Sequence, residues 1–422
     1  MDPKVYTAEH HKISPEKVDQ HAFYVIDKLR QAGHKAYLVG GGVRDLLLNV
    51  PPKDFDVSTS ASPEEIRSLF RSAILIGRRF RLAHVRFGRK IIEVSTFRAG
   101  EIDSSELIVR DNEWGTEEED VLRRDFTING LFYDPHKELV IDYVEGYPDL
   151  EKRVLRTIGQ PEARFSQDPV RMIRLIKFCA RFNFEIDRPT FEALLSCKQE
   201  IVKSSSARVL EELLRMLESG ASKPFFHLLQ EYGVLGALTP ELAYFLAEKD
   251  QGLTLQLLGE IDAEVQKKEG PSPDRALLMA ALIFPLFEQY LLERSKMEGR
   301  TPHLGQIGQA AFHVVDCIFS PFFKLPRRLR AVMAFILASQ FRFIPLDGRE
   351  VRHPRLPNDS VTPLAIDLLK IRAAVQPELL PHAAVWTEAA FRAHGEQPPA
   401  PSMEGDEERK PRRRRRRRPR RP

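Results

Sequence analysis

Cysteine is scarce, with three residues in a chain of 422, at Cys179, Cys197 and Cys317. They stand far apart and outside any CxxC or Cys/His metal spacing, which argues against a disulfide scaffold and a structural zinc site and fits a reducing cytosol. Long apolar runs are also missing. The longest, around Ala276 to Phe287, has Pro285 inside it and falls short of the ~20 residues that a bilayer span requires. The opening MDPKVYTAEHHKISPEK has no apolar signal core, so the expectation is a soluble, cytoplasmic protein. Hydrophobic residues at 42% and charged residues at 29% are ordinary for a globular chain of two or three domains.

A generally basic surface is absent too. The net charge of +4 comes from Arg409 to Pro422, which carries eleven Lys and Arg and no acid, leaving 53 basic against 60 acidic residues elsewhere. Affinity for a polyanion must therefore come from that tail and from local patches. The stretch from Glu396 to Pro422 is rich in Pro, then acid, then Arg. It cannot bury enough apolar area to offset its ordering entropy, so disorder is expected.

The patterns that are present divide the chain. A helical pattern from about His21 to Leu29, a short apolar run at Ala36 to Val39, Gly40 to Gly42 and VRDLLLN read as helix, strand, glycine turn, helix. A strand at Phe55 to Ser58, a helix from Pro63 opened by Ser62 with Glu65 three residues on, and a hairpin at Val85 to Phe87 and Ile91 to Phe97 follow. Ala99 to Asp120 is polar and acid-rich, which suggests a mobile loop. After the strand pair FTINGLFYD and ELVIDYV, strand signals nearly vanish, and the region from Gln160 to Gly395 reads as all-helical. The fold class expected is α+β. Its domains are an N-terminal extension (1–20), a head (21–155), a neck (156–220), a helical body (221–395) and a disordered Arg-rich tail (396–422).

In KDFDVST, alternation along a strand puts Asp54 and Asp56 on one face with Phe55 and Val57 toward the core. Paired carboxylates at ~6–7 Å spacing along a strand can converge on Mg²⁺ ions. A lone DxD is more often the wet face of an edge strand; the glycine turn just upstream changes that balance. Gly40 to Gly42 let a backbone approach phosphate oxygens, and Gly41 and Arg44 are the triphosphate candidates, the plain alternative being a tight helix–sheet turn. Glu93 in IIEVSTF and Asp125 in RRDFTIN compete as a third acid, and the residues alone do not rank them. Asp168 and Arg171 could offer an acceptor and a donor to one nucleobase edge, continued by Arg174, although Asp168-Pro169 is also a good helix start. Arg412, Arg413, Arg414, Arg415, Arg416, Arg417 and Arg418 form a polycation suited to RNA.

Taken in order, LVGGGVRDLLL, KDFDVST, IIEVSTFR, RRDFTINGLFYD and QDPVRMIRLIKF resemble the class II tRNA nucleotidyltransferase and bacterial poly(A) polymerase superfamily, over about residues 20 to 220. The segment IGRRFRLAHVRFG, Ile76 to Gly88, resembles the poly(A) polymerase branch. The resemblance implies a polymerase-β-type head and template-independent, Mg²⁺-dependent transfer of AMP from ATP to RNA 3′ ends. It implies Asp54 and Asp56 as the metal-binding catalytic pair and Asp125 as a further catalytic acid. Arg123 and Arg124 would lie beside sugar and phosphates, and Asp168 and Arg171 at the base, with Arg174 nearby. One departure stands out: the family usually has Glu where this chain has Gln167. The competing expectations are a tRNA CCA-adding or A-adding enzyme and, in another class, a catalytically inactive RNA-binding protein. A monomer is the working expectation, with RNA-decay proteins as further partners.

Deleting Lys410 to Pro422 should weaken RNA binding and flatten its salt dependence, because fewer counterions would be released. Filter binding across a salt series checks this; an unchanged slope would remove the tail from the RNA contact.

Overall fold

The computed structural model describes residues 2–77, 82–99, 113–267, 272–349, 351, 354, 356 and 359–394. The basic tail, with Arg412 to Arg418, and part of the Ile76 to Gly88 segment lie outside the described residues.

Eight strands form one sheet: β1 (Lys4–Thr7), β2 (Ala36–Val39), β3 (Asp56–Thr59), β4 (Ala73–Ile76), β5 (Leu82–Phe87), β6 (Lys90–Thr96), β7 (Leu131–Asp134) and β8 (Leu139–Asp142). Their spatial order is β1-β8-β7-β2-β3-β6-β5-β4. All neighbours run antiparallel except β3 and β6. Strand β1 falls in the stretch 1–20 that the sequence sets apart as an extension; it pairs with β8 as an edge of the head sheet.

One face of the sheet is dry. Leu38, Val57, Val94, Ala83 and Val85 point there and meet Ala22, Val25, Ile26 and Leu29 of the Gln20–Gln31 helix. Those four helical positions recur with helical spacing, and Asp19 caps the helix by accepting from the N–H groups of His21 and Ala22. The Pro63–Leu69 helix packs beside it, started by a capping box between Ser62 and Glu65. The opposite face carries a small apolar cluster of Val39, Phe97, Val121 and Phe132 over one part of the sheet, and is polar over the rest.

The expected loop from Ala99 to Asp120 is corrected at its end. Thr116 and Glu119 form a capping box that opens a helix, Glu117–Leu122, with Asp120 and Val121 buried. Beyond the head the described residues from Pro161 to His394 form helices and their connections, and among them the one strand pairing is the two-residue parallel match of Glu185–Ile186 with Val154–Leu155. One continuous core runs from Phe126 and Ile128 in the head through the neck to Trp386. The 24-residue helix Arg275–Glu298 continues through Pro285 and is long and apolar enough to cross a membrane, so the apolar run is longer in structure than in sequence. Most of it is packed inside the helical body, 67% of its most apolar window being buried.

The Gly146–Lys152 helix braces the turn at Thr127–Asn129 beside the site described below. A Cβ at Gly146 would lie 2.0 Å from the Thr127 carbonyl oxygen. Gly146→Ala should therefore destabilise the fold by about 3 kcal/mol. Gly308→Ala, at a helical position with nothing within 4 Å, should instead be neutral or stabilising by up to ~1 kcal/mol. Urea denaturation of the two variants checks both.

Candidate active site

Two of the sequence motifs share the letters V-S-T after an acid, and the fold lays them side by side. In the parallel pair β3 and β6, Asp56 is the register partner of Glu93, Val57 of Val94, Ser58 of Ser95 and Thr59 of Thr96. The valines go into the dry core, so both acids stand on the open face. Ser58 Oγ and Ser95 Oγ are 2.8 Å apart. On the far side of Glu93, His84 is its partner across β5, with Nε2 3.4 Å from Glu93 Oε2. Asp54 sits just before β3 and is exposed, so the two aspartates are not both within a strand as the alternation argument supposes.

Burial, then the neighbouring Glu93 carboxylate, pushes the Asp56 carboxyl up to about 7, with Arg124 opposing and Asp54 adding to the rise. Acids packed this way repel one another unless a cation joins them.

The glycines act by position. Gly40 has φ +65° and ψ −131°, a backbone state that a side chain would strain. Gly42 lets the segment before β3 pass close, since a Cβ there would lie 3.2 Å from the Asp54 carbonyl oxygen. Gly41 lines the cleft. Arg44 is buried: its Nε and Nη2 donate to Asp45 Oδ1 at 2.9 and 2.7 Å, and its Nη1 to Asn129 Oδ1 at 2.7 Å. Its guanidinium carbon lies 4.8 Å from the ring centroids of both Phe178 and Phe182. Arg44 thus ties the head to the neck helix Val170–Phe182.

A bank of arginines faces the acids. Arg124 Nη2 donates to Ser58 Oγ at 3.2 Å and to Asp120 Oδ2 at 2.8 Å, while Asp120 Oδ1 accepts from the Arg98 backbone. Burial, with Arg98, Arg124, Arg171 and Arg164 around it, pushes Arg123 down to about 8. Arg171 Nη1 and Nη2 donate at 3.1 Å to the carbonyls of Arg164 and Arg123. Both oxygens of Asp168 accept at 2.8 Å from the fork of Arg208, on the Ser206–Leu217 helix.

Asp125 differs from the other acids. It is buried, Arg174 Nη2 lies 2.8 Å from its Oδ2, and its Oδ1 accepts from Asn129 Nδ2 and Phe126 N. Burial works against its charge, but Arg174 and these hydrogen bonds hold it below the usual carboxylate range.

Asp54, Asp56, Glu93, Gly41, Arg44, Arg123, Arg124, Asp125, Asp168, Arg171 and Arg174 all line one cleft of about 910 Å³ between head and neck. Sequence reasoning missed Asp120, Arg208, Ser58 and His84. The T-x-x-E spacing of Thr116 and Glu119 could have revealed the helix that carries Asp120, and the repeated V-S-T the pairing of β3 with β6; no local signal marks Arg208. Among the described residues no group of three His, Cys, Asp or Glu side chains forms a ready-made metal cage, and no ion pair to Asp54 or Asp56 occurs. An open carboxylate pair suits Mg²⁺, which keeps waters and takes substrate phosphate oxygens as ligands.

Acids that repel until a cation arrives, set opposite arginines in a cleft of nucleotide size, mark the chain as a nucleotidyltransferase. Residues 36–156 match the poly A polymerase head domain, residues 183–246 the "Probable RNA and SrmB- binding site of polymerase A", and residues 306–422 the polymerase A arginine-rich C-terminus. Poly(A) polymerase I of Haemophilus influenzae is 36% identical over 94% of this chain and 90% of its own length. The chain belongs to the poly(A) polymerase family. A CCA-adding enzyme of Staphylococcus epidermidis is 38% identical, but over only 49% of this chain and 52% of its own. In fold, the chain is similar to a tRNA nucleotidyltransferase crystallised with a primer tRNA and an incoming ATP analogue, at a TM-score of 0.58 and 22% identity over 88% of this chain and 99% of that one.

Because the Asp56 carboxyl titrates near 7 when folded and near ~4 when unfolded, the fold favours its protonated form. The metal-free wild type should lose stability relative to Asp56→Asn as pH rises from about 4 to about 7, with a constant gap above. Thermal unfolding in EDTA across that range checks the sign; parallel curves would refute it.

Proposed function

We propose that this chain adds AMP from ATP to RNA 3′ ends without a template, releasing pyrophosphate, with Asp54 and Asp56 holding Mg²⁺. The observation that carries the reading is the Asp56–Glu93 register pair beside Asp54, facing the arginine bank, in a chain similar to poly(A) polymerase I along nearly its whole length. When bound there, Mg²⁺ supplies charge neutralisation at the phosphates and acidifies the attacking hydroxyl.

The remaining work falls to side chains. Glu93 is the better third acid, because it adjoins Asp56 and its side chain is 42% exposed. Asp125 is instead an anchor, held by Arg174 and Asn129. Arg123 and Arg124 sit where they can meet the anionic sugar-phosphate portion, and their burial among other cations favours an anionic guest. Gly41 leaves room for phosphates at the turn, while Arg44 supports that turn from beneath. Asp168 and Arg171 are the base contacts, so selection of ATP is by side chains, and Arg208 sets the plane of the Asp168 carboxylate.

The CCA-adding reading rests on relatives whose alignments span 48–62% of this chain, against 94% for poly(A) polymerase I of Haemophilus influenzae. The inactive RNA-binding reading meets the retained acid cluster, which has no physical use without a metal. The burial of the Arg275–Glu298 helix supports reading the chain as a soluble protein.

The test supplies ATP or CTP, alone or together, with Mg²⁺, to a generic RNA and to a tRNA lacking its CCA end. A long ATP-dependent ladder on both RNAs is expected. Addition that stops at CCA or a single A on the tRNA alone would favour the CCA enzyme. Asp54→Ala and Asp56→Ala should each lower the rate by at least ~10³-fold, and full activity in both would end this reading.

A further inference from the structure

Arg164 belongs to none of the roles above and does not line the cleft, yet its side chain is only 1% exposed. It stands on the Pro161–Gln167 helix. Its Nη2 donates to the Arg124 carbonyl at 2.6 Å and its Nη1 to Gln167 Oε1 at 2.9 Å, while its Nε is buried with no hydrogen-bond partner among the described residues. Its own carbonyl accepts from Arg171 Nη1, and Arg171 Nη2 reaches the carbonyl of Arg123. The main chain of two consecutive arginines in the head is therefore gripped from the neck, by the base-contacting residue and by Arg164.

We propose that Arg164 is a positioning residue that transmits the fit of the base at Asp168 and Arg171 to the Arg123–Arg124 pair at the phosphates, so that nucleotide selection is exercised in the transfer step. This rests on the reading of the chain as an ATP-using nucleotidyltransferase. A base that seats Arg171 and Asp168 correctly leaves both carbonyls held and both guanidiniums aimed; a misfitting base moves the neck helix and, through the two struts, the arginines with it. Such a linkage acts on kcat, because it concerns alignment after binding. Gln167 is neutral, so the Arg164 charge has no carboxylate at this contact, and burial, with Arg171 next to it, pushes it down to about 9. Arg164 is held by shape and two hydrogen bonds, and the strut is sensitive to either partner.

The test compares kcat and KM for ATP and for CTP, on the same RNA, in wild type, Arg164→Lys and Gln167→Leu, with thermal unfolding of each. Lysine keeps a charge but cannot hold both acceptors; leucine removes one acceptor and leaves Arg164 in place. The expected result is a fall of about tenfold in kcat for ATP, KM for ATP changed by less than about twofold, and a lower ratio of ATP to CTP in kcat. Gln167→Leu should move the same way by less, and decides alone if Arg164→Lys does not fold. Folded variants that keep the wild-type ratio, or lose ATP and CTP turnover equally, would overturn the proposal. A wild type that adds no AMP at all would instead strike at the functional reading beneath it.

Discussion

Repulsion among carboxylates is the constraint from which the head takes its form. Asp56 and Glu93 are placed side by side by the parallel pairing of β3 with β6, and Asp54 adds a third negative group nearby. Left to itself this arrangement costs stability, and the sheet tolerates it because the same strands bury Val57 and Val94 completely on the other face. Slipping either strand by one residue would exchange acids for valines, so the hydrophobic face enforces the register that the acids resist. The cost of assembling the site is borne by the core beneath it, and the carboxylates are left facing the cleft.

The cations show the complementary problem. Arg123, Arg124, Arg164, Arg171 and Arg98 lie close enough that several depress one another. Asp120 and Asp125 each offset part of the excess, through Arg124 and Arg174. Carbonyl oxygens take up much of the rest, at Arg123, Arg124 and Arg164. A carbonyl satisfies an N–H without cancelling its charge, so the bank stays positive toward an anion while its donors are fixed in direction. That is preorganisation: the guest meets dipoles and charges already oriented.

What the sequence reveals about this molecule follows the range of the interaction. The Ser62 and Glu65 cap, the Ala36–Val39 strand, the glycine turn and the amphipathic Val170–Phe182 helix are written within a few residues of themselves, and were legible. Asp168 and Arg171 could be read as a pair from their spacing, but Arg208, forty positions away, could not. Arg44 illustrates the same limit. Its place at the start of a helix after a glycine turn suggests a phosphate contact, yet the aromatic rings that enclose it come from Phe178 and Phe182, a separate helix. The different settings of Asp125 and Glu93 were equally illegible in one dimension, because one is made by Arg174 and Asn129 and the other by the strand register.

The position of the domain boundary carries a mechanical consequence. Phe126 and Ile128 follow Asp125 at the turn before β7, and they belong to the same continuous core as the neck and body helices. Thr127 between them donates to Asp149 Oδ2, and Arg156 Nε reaches the same oxygen, so the segment is fixed from the head side as well. The chain that carries Arg123 and Arg124 is thus clamped between two cores, apolar on the neck side and hydrogen-bonded on the head side. A tilt of the neck relative to the sheet cannot occur without dragging this segment, because close-packed interiors transmit displacement and do not absorb it. The shared core and the contacts of Arg164 and Arg171 to the Arg124 and Arg123 carbonyls therefore act in the same sense, joining head and neck around the cleft.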